Sequence, residues 1–308
     1  VDDYNSYLPF TGLTELREAV VAHLERTSGN TYHPSAEAVI TSSGLSGMLD
    51  ALLCVINPGD EVILTDPTYA GMIYRVKLAG GVPRLVPFVL KNGEWRLDLD
   101  QLRASITDRT QAMYIMSPSM PSGAVLNQAE WEAIAELCQQ HDLWLVYNAA
   151  MERILYDGRP LIHPASIPGM RERTITGSSV SKEYRMIGWR IGWVVGPRGI
   201  MNDIALAHIY NNVVAGGIGS AGAIAALTTS QDNVTEAVQI WQSRRDKVLE
   251  ELQGMPVIPA AGCWSMLIDV GQMGHTAEEA STLLLEKGKV AATPMTNWGQ
   301  VNSSQFVR

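Results

Sequence analysis

The stretch Ala38–Asp66, AVITSSGLSGMLDALLCVINPGDEVILTD, decides the fold class. AVIT is short, apolar and largely β-branched, the pattern of a buried strand. It stops at a Ser/Gly turn. LSGMLDALLCVI then repeats its apolar residues three and four apart, as a helix does. NPGD ends that helix in a turn, and EVILTD begins a second strand. A strand, a crossover helix and a second strand indicate a parallel sheet, because the helix carries the chain back to its starting end.

The alternation continues outward. RTQAMYIMSP (109–118) reads as a strand and QAEWEAIAELCQQHD (128–142) as an amphipathic helix. LWLVYN (143–148), RTITGS (173–178) and GWRIGWVVG (188–196) read as further strands. Upstream, LTELREAVVAHLE (13–25) is a helix with Thr14 placed to cap it. This predicts an α/β fold, a mostly parallel sheet sandwiched by helices. In such sheets ligands sit beyond the carboxyl ends of the strands. From about Val234 the pattern changes. A long charged helix (235–254) leads to GCWSMLIDV (262–270), a helix (276–288) and a strand, VAAT (290–293). We expect a large cofactor-binding domain over 1–235 and a smaller C-terminal α+β domain over 236–308. No internal repeat or low-complexity tract interrupts them.

Bulk properties exclude several classes. The chain has 308 residues, enough for a large core, and a net charge of −9. An acidic chain is a poor partner for nucleic acid, whose phosphates need a basic face. No run of 18 apolar residues exists to span a membrane. Cys54, Cys138 and Cys263 are scattered, and we expect small buried hydrophobes in a reducing, cytoplasmic setting. No CxxC or paired-histidine spacing predicts a metal site.

Ser178–Trp193, SSVSKEYRMIGWRIGW, carries the sharpest chemistry. Lys182 follows a strand and precedes a Gly-containing turn. A lysine held at a strand end can form a Schiff base with an aldehyde cofactor. Ser179 and Arg190 can bind a phosphate, the arginine at two points. Taken alone, Ser-x-x-Lys is most often a solvated surface lysine.

Its surroundings shift that weighting. YLPFTGLTELREAV (7–20), SSGLSGMLDALLCVINPGDEVILTDPTYAG (42–71), SPSMPSGAVL (117–126), VYNAAMERILYDG (146–158), SKEYRMIGWRIGW (181–193) and SSQFVR (303–308) occur in that order. Together they resemble the class I and II aminotransferases, pyridoxal-phosphate enzymes of the aspartate aminotransferase type. The resemblance spans nearly the whole chain and implies the type I fold of that enzyme class. It implies that Lys182 carries pyridoxal 5'-phosphate, and that the N–H groups of Gly44, Leu45 and Ser46 face the phosphate with Ser179 and Arg190. A helix N-terminus suits an anion through its free donors and its dipole. Tyr69 would stack on the pyridine ring. Tyr7 would reach the phosphate of a partner subunit, which implies a homodimer with shared sites. Arg308 would grip the substrate's α-carboxylate. The implied reaction moves an amino group from an amino acid to a 2-oxo acid. The same fold also hosts lyases, cyclases, oxidative deaminases and cofactor-binding homologues with little turnover. The family extends beyond both Val1 and Arg308, so we expect a longer natural chain.

Three positions depart from the family. Its aspartate at the pyridine nitrogen is Asn148 here. The asparagine and the tyrosine that bond the ring oxygen are Met120 and Met151. A neutral amide cannot supply the ion pair that keeps the ring nitrogen protonated, and thioethers cannot donate. Asn148 can accept from a protonated nitrogen or donate to a neutral one; we expect the nitrogen to be mostly unprotonated. No second arginine is apparent for a dicarboxylate, and Trp298 and Trp264 suit an apolar side chain.

Overall fold

The computed structural model describes residues 2–301 and 303–308. Eight strands, β1 Ala38–Thr41, β2 Glu61–Asp66, β3 Val82–Lys91, β4 Glu94–Leu97, β5 Thr110–Met116, β6 Trp144–Asn148, β7 Thr174–Ser179 and β8 Gly192–Val195, form one sheet. Their order is β1-β8-β7-β6-β5-β2-β3-β4. From β7 through β6, β5 and β2 to β3 every pair is parallel. β8 is antiparallel to both β7 and β1, so β1 points the same way as β7. Six strands therefore end on one side of the sheet.

Alternating side chains enter separate apolar clusters on the two faces. Val62 and Leu64 of β2 enter one cluster, and Ile63 between them enters another. Tyr114 and Met113 of β5 divide in the same way. Each fully buried Leu, Ile or Val is worth about 1.5–3 kcal/mol, so a sheet covered on both faces tolerates little polarity. Helices supply the cover: α1 Thr14–Ser28, α2 Pro34–Glu37, α3 Gly44–Val55, α4 Ala70–Leu78, α5 Leu99–Ala104, α6 Gln128–Gln140, α7 Arg198–Asn212 and α8 Gly217–Thr228. Met48 and Leu52 of α3 join the first cluster. Trp131 and Ile134 of α6 join the second, and Leu16 and Val20 of α1 a third with β1 and β8. α6 starts in a capping box between Asn127 and Glu130, which satisfies two otherwise orphaned N–H groups.

A long helix, α9 Asp232–Glu251, leads to a three-stranded antiparallel sheet of β9 Val257–Ile258, β10 Leu267–Asp269 and β11 Phe306–Val307, with α10 Ala277–Glu286 beside it. Among the described residues no helix is long and apolar enough to cross a membrane.

Three local expectations are corrected. Thr14 is the first helical residue of α1, and Leu13 before it makes no side-chain cap. GWRIGWVVG is not one strand: Ile187–Trp189 is a 3₁₀ turn, Arg190 is left-handed with φ 56°, and pairing begins at Gly192. VAAT is not a strand. Only its last residue, Thr293, pairs with the end of the chain, exchanging backbone bonds with Arg308, and the isolated bridge to β11 falls one residue later, at Pro294.

Candidate active site

The strands that end together converge on one cavity of about 400 Å3. Ser43, Gly44 and Leu45 follow β1. Ser179, Ser181 and Lys182 lie at and beyond the end of β7. Asn148, Ala150 and Met151 follow β6 in the same way, Met116 and Met120 β5, and Tyr69 β2. Ile187, Arg190, Trp298 and Arg308 complete the lining. One polar stripe at the open edge of a buried sheet is what parallel strands produce, because each apolar run must stop somewhere.

The turn after β1 is built for an anion. Ser43 caps α3, its Oγ accepting the Ser46 N–H at 3.1 Å. The Ser46 donor is therefore taken, and Ser46 does not line the cavity. Its Oγ instead accepts from Asn212 Nδ2 at 2.7 Å. The N–H groups of Gly44 and Leu45 have no acceptor among the described residues. The turn lies tight against β8: a Cβ on Gly192 would stand 2.2 Å from the Gly44 nitrogen. Arg75 Nε bonds the Leu45 carbonyl at 2.9 Å and Nη1 the Gly71 carbonyl at 2.8 Å, which ties α4 to the turn. Ser179 Oγ accepts the Ser181 N–H at 3.3 Å, and its own proton remains available. Arg190 is exposed; Nη1 donates to the Ile187 carbonyl at 2.7 Å.

Lys182 is half-buried. Burial pushes its amine below the ordinary lysine value, Cys263 opposes that slightly, and the Arg190 charge adds to it. Its Nζ lies 4.8 Å from the centre of the Trp264 ring. Trp264 itself does not line the cavity; it faces a neighbouring one with Tyr156 and Trp241. The next residue, Glu183, accepts from Arg153 twice, from the backbone N–H at 2.8 Å and from Nε at 2.6 Å. That pair locks the segment after β6 to the segment after β7, and Met151 and Lys182 line the same cavity.

Asn148 is 6% exposed. Its Oδ1 accepts the Ala150 N–H at 3.2 Å, which only an oxygen can do. The Nδ2 group has no acceptor among the described residues, so Asn148 presents a donor to the cavity, a point the sequence left open. Met151 is buried, with Cys263 Sγ donating to its Sδ at 3.6 Å. Arg308 is held by two backbone bonds with Thr293, at 3.1 and 2.9 Å, and by Nη2 on Thr293 Oγ1 at 3.3 Å. Tyr7 does not line the cavity and is 81% exposed.

The residues fit a pyridoxal phosphate. Two unpaired backbone donors and Arg190 suit its phosphate, a desolvated amine suits its aldehyde, and a buried, unpartnered amide donor suits a ring nitrogen. No carboxylate among the described lining residues competes for those donors. Sequence reasoning missed Ser43, Met116, Ala150, Ser181 and Ile187. The first four stand next to named positions or at an assigned strand end, so a strand-end rule applied more widely would have found them. Ile187 carries no such signal.

The family description "Aminotransferase class I and II" matches residues 2–308. The chain belongs to this family. Its members perform pyridoxal-phosphate-dependent transamination, and the chain is an aminotransferase. It is 35% identical to the arginine–pyruvate transaminase AruH of Pseudomonas aeruginosa, over 92% of this chain and 72% of that protein. It is 32% identical to an aspartate aminotransferase of Pyrococcus abyssi, over 98% and 78%. The N-succinyldiaminopimelate aminotransferase structure from Mycobacterium tuberculosis superposes with a TM-score of 0.95 at 32% identity, covering 99% of this chain and 81% of that one.

Behind the cavity this aminotransferase buries a carboxyl, Glu152, between two histidines. Its oxygens lie 4.0 Å from His23 Nε2 and 3.8 Å from His163 Nε2. Burial, with Glu183 nearby, raises Glu152 to about 8. Burial, helped by Arg153 for His23, lowers both histidines to about 3. The raised Glu152 contributes stability that is complete below its unfolded value near 4.5 and is lost as pH rises to about 8. The lowered histidines contribute stability present above about 6.5 and lost as pH falls towards 3. We expect Glu152→Gln, a neutral mimic of the protonated acid, to raise the melting temperature at pH 8.5 by about 2–5 °C and to leave it unchanged at pH 4.5. Equal shifts at both pH values would contradict a buried neutral acid.

Proposed function

We propose that this aminotransferase carries pyridoxal 5'-phosphate on Lys182 and moves an amino group from an amino acid to a 2-oxo acid. One observation carries the reading: a desolvated lysine shares a cavity with two unpaired helix-terminal N–H groups, with no carboxylate in the lining. When bound, the cofactor supplies an aldehyde that condenses with amines and a ring that withdraws electrons.

The protein's own residues do the rest. Gly44, Leu45, Ser179 and Arg190 hold the phosphate, and Tyr69 faces the ring. Lys182 is the point of covalent attachment. Once displaced by substrate, its amine takes the proton from the substrate's α-carbon as a general base and returns a proton as a general acid. A pKa below the usual lysine range suits both roles. Arg308 fixes the α-carboxylate with its planar fork. Asn148 Nδ2 would donate to an unprotonated ring nitrogen, while Met120 and Met151 would keep water from the ring oxygen.

Residues 236–308 form the smaller C-terminal domain. The working unit is a homodimer in the cytoplasm. Tyr7 needs a second copy to reach a cavity, and Ile187, Trp189 and Ile218, 58%, 47% and 69% exposed, offer a contiguous apolar surface for that copy.

The test is acceptor dependence. Protein loaded with cofactor and given an amino acid forms one equivalent of 2-oxo acid per site, then stops. Adding a second 2-oxo acid restores turnover. Continued product without an acceptor would overturn transamination in favour of a lyase or an oxidative deaminase.

A further inference from the structure

One wall of the cavity does not come from the eight-stranded sheet. It is Trp298, in the loop that follows Met295, to whose carbonyl the Trp298 N–H donates at 2.8 Å. The Trp298 ring meets Tyr69 edge-on, with centroids 5.6 Å apart. The Arg308 guanidinium lies 5.0 Å from the same ring. Trp298 thus links the aromatic after β2 to the arginine after β11.

The loop is pinned from the sheet side. Asp66, the last residue of β2, accepts through Oδ2 the N–H groups of Gln300 at 2.8 Å and Val301 at 2.9 Å. The Thr68 N–H donates to the Trp298 carbonyl at 2.8 Å. Gly299 packs on the same carboxylate, where a Cβ would stand 1.9 Å from Asp66 Oδ1. Asp66 is 1% exposed and its Oδ1 has no partner among the described residues. Burying a carboxylate with an unsatisfied oxygen is costly. What the carboxylate does is hold a distant loop.

The enclosed surface is apolar. Beyond Lys182, Arg190 and Arg308 the described lining residues carry no charge, and Met116, Met120, Met151 and Trp298 dominate. Among the described lining residues of this chain, a cationic substrate side chain finds no counterion and a second carboxylate no unclaimed guanidinium. Building on the roles given above to Lys182 and Arg308, we propose that Asp66 is a positioning residue clamping the Trp298 loop over the cavity, and that the clamped site selects amino acids with uncharged, apolar side chains.

The test combines selectivity with a binding measurement. Wild type should use leucine and methionine at least about 100-fold better in kcat/KM than aspartate or arginine, given the cost of burying an unpaired charge. Asp66→Asn keeps the side chain's shape and weakens the clamp. It should raise KM for leucine about 5–10-fold with kcat within about twofold, Trp298→Ala should do the same, and the double variant should be no worse than Trp298→Ala alone. Lost stability by itself would not split KM from kcat or make the two changes non-additive. A preference for aspartate or arginine overturns the substrate class. An unchanged KM in Asp66→Asn, or effects that simply multiply, overturns the clamp. Calorimetric binding of 4-methylpentanoate, which lacks an amino group, reads the clamp without turnover and should weaken by the same factor in Asp66→Asn. Wild-type protein that binds it yet transfers no amino group rejects the reaction and leaves the clamp standing.

Discussion

Lys182→Ala abolishes amino transfer, with kcat reduced by about 10⁴-fold or more. Two losses combine. A positioned proton carrier is worth about 10²–10⁴-fold, and the covalent anchor that fixes the cofactor's aldehyde disappears with it. Lys182→Arg should not recover activity, because a guanidinium stays protonated and can neither attack a carbonyl nor accept a proton. Folding should survive either change, since the lysine is half-buried and its side chain makes no hydrogen bond among the described residues. The measurement is single-turnover formation of 2-oxo acid, alongside borohydride fixation of cofactor onto the protein. Wild type should retain label at residue 182 and the alanine variant none. An alanine variant with more than a few per cent of wild-type turnover would place the chemistry elsewhere.

Arg308→Ala should lower kcat/KM for α-amino acids by about 10²–10³-fold, mostly through KM. Truncating one partner of a hydrogen-bonded charge pair costs about 2–5 kcal/mol. Arg308→Lys should restore only part of this, because an ammonium cannot present two parallel donors. The control is a primary amine without the α-carboxylate. Its slow reaction should be unaffected by the change at 308. If amine and amino acid suffer alike, the arginine shapes the cavity and does not grip the substrate.

Much of this arrangement was legible from sequence, for a physical reason. A sheet buried on both faces leaves uninterrupted apolar runs, as in EVILTD and LWLVYN, and the first polar residue past each run marks the ligand edge. Lys182, Asn148, Tyr69 and Gly44 all stand at such edges. Three kinds of information were not local. β8 runs against its neighbours, and nothing in GWVV records direction. The fate of the Ser46 N–H depended on whether Ser43 or Ser46 supplied the cap, and Ser-Ser-Gly-Leu-Ser permits both. The contact of Asp66 with residues 300 and 301 spans most of the chain and leaves no periodicity to read. Asn148 was recognised as unusual. Which end of its amide faces inward came only from the Ala150 N–H.

The order in which the sheet is assembled has a bearing on synthesis. β1 has β8 as its neighbour in the eight-stranded sheet, so the turn that opens α3 gains its sheet support only after the ribosome has added some 150 further residues. The guanidinium at 308 waits longer still, for β11 to zip onto β10. A nascent chain can therefore bury apolar surface early, domain by domain, yet has no competent pocket until nearly everything described here has been translated.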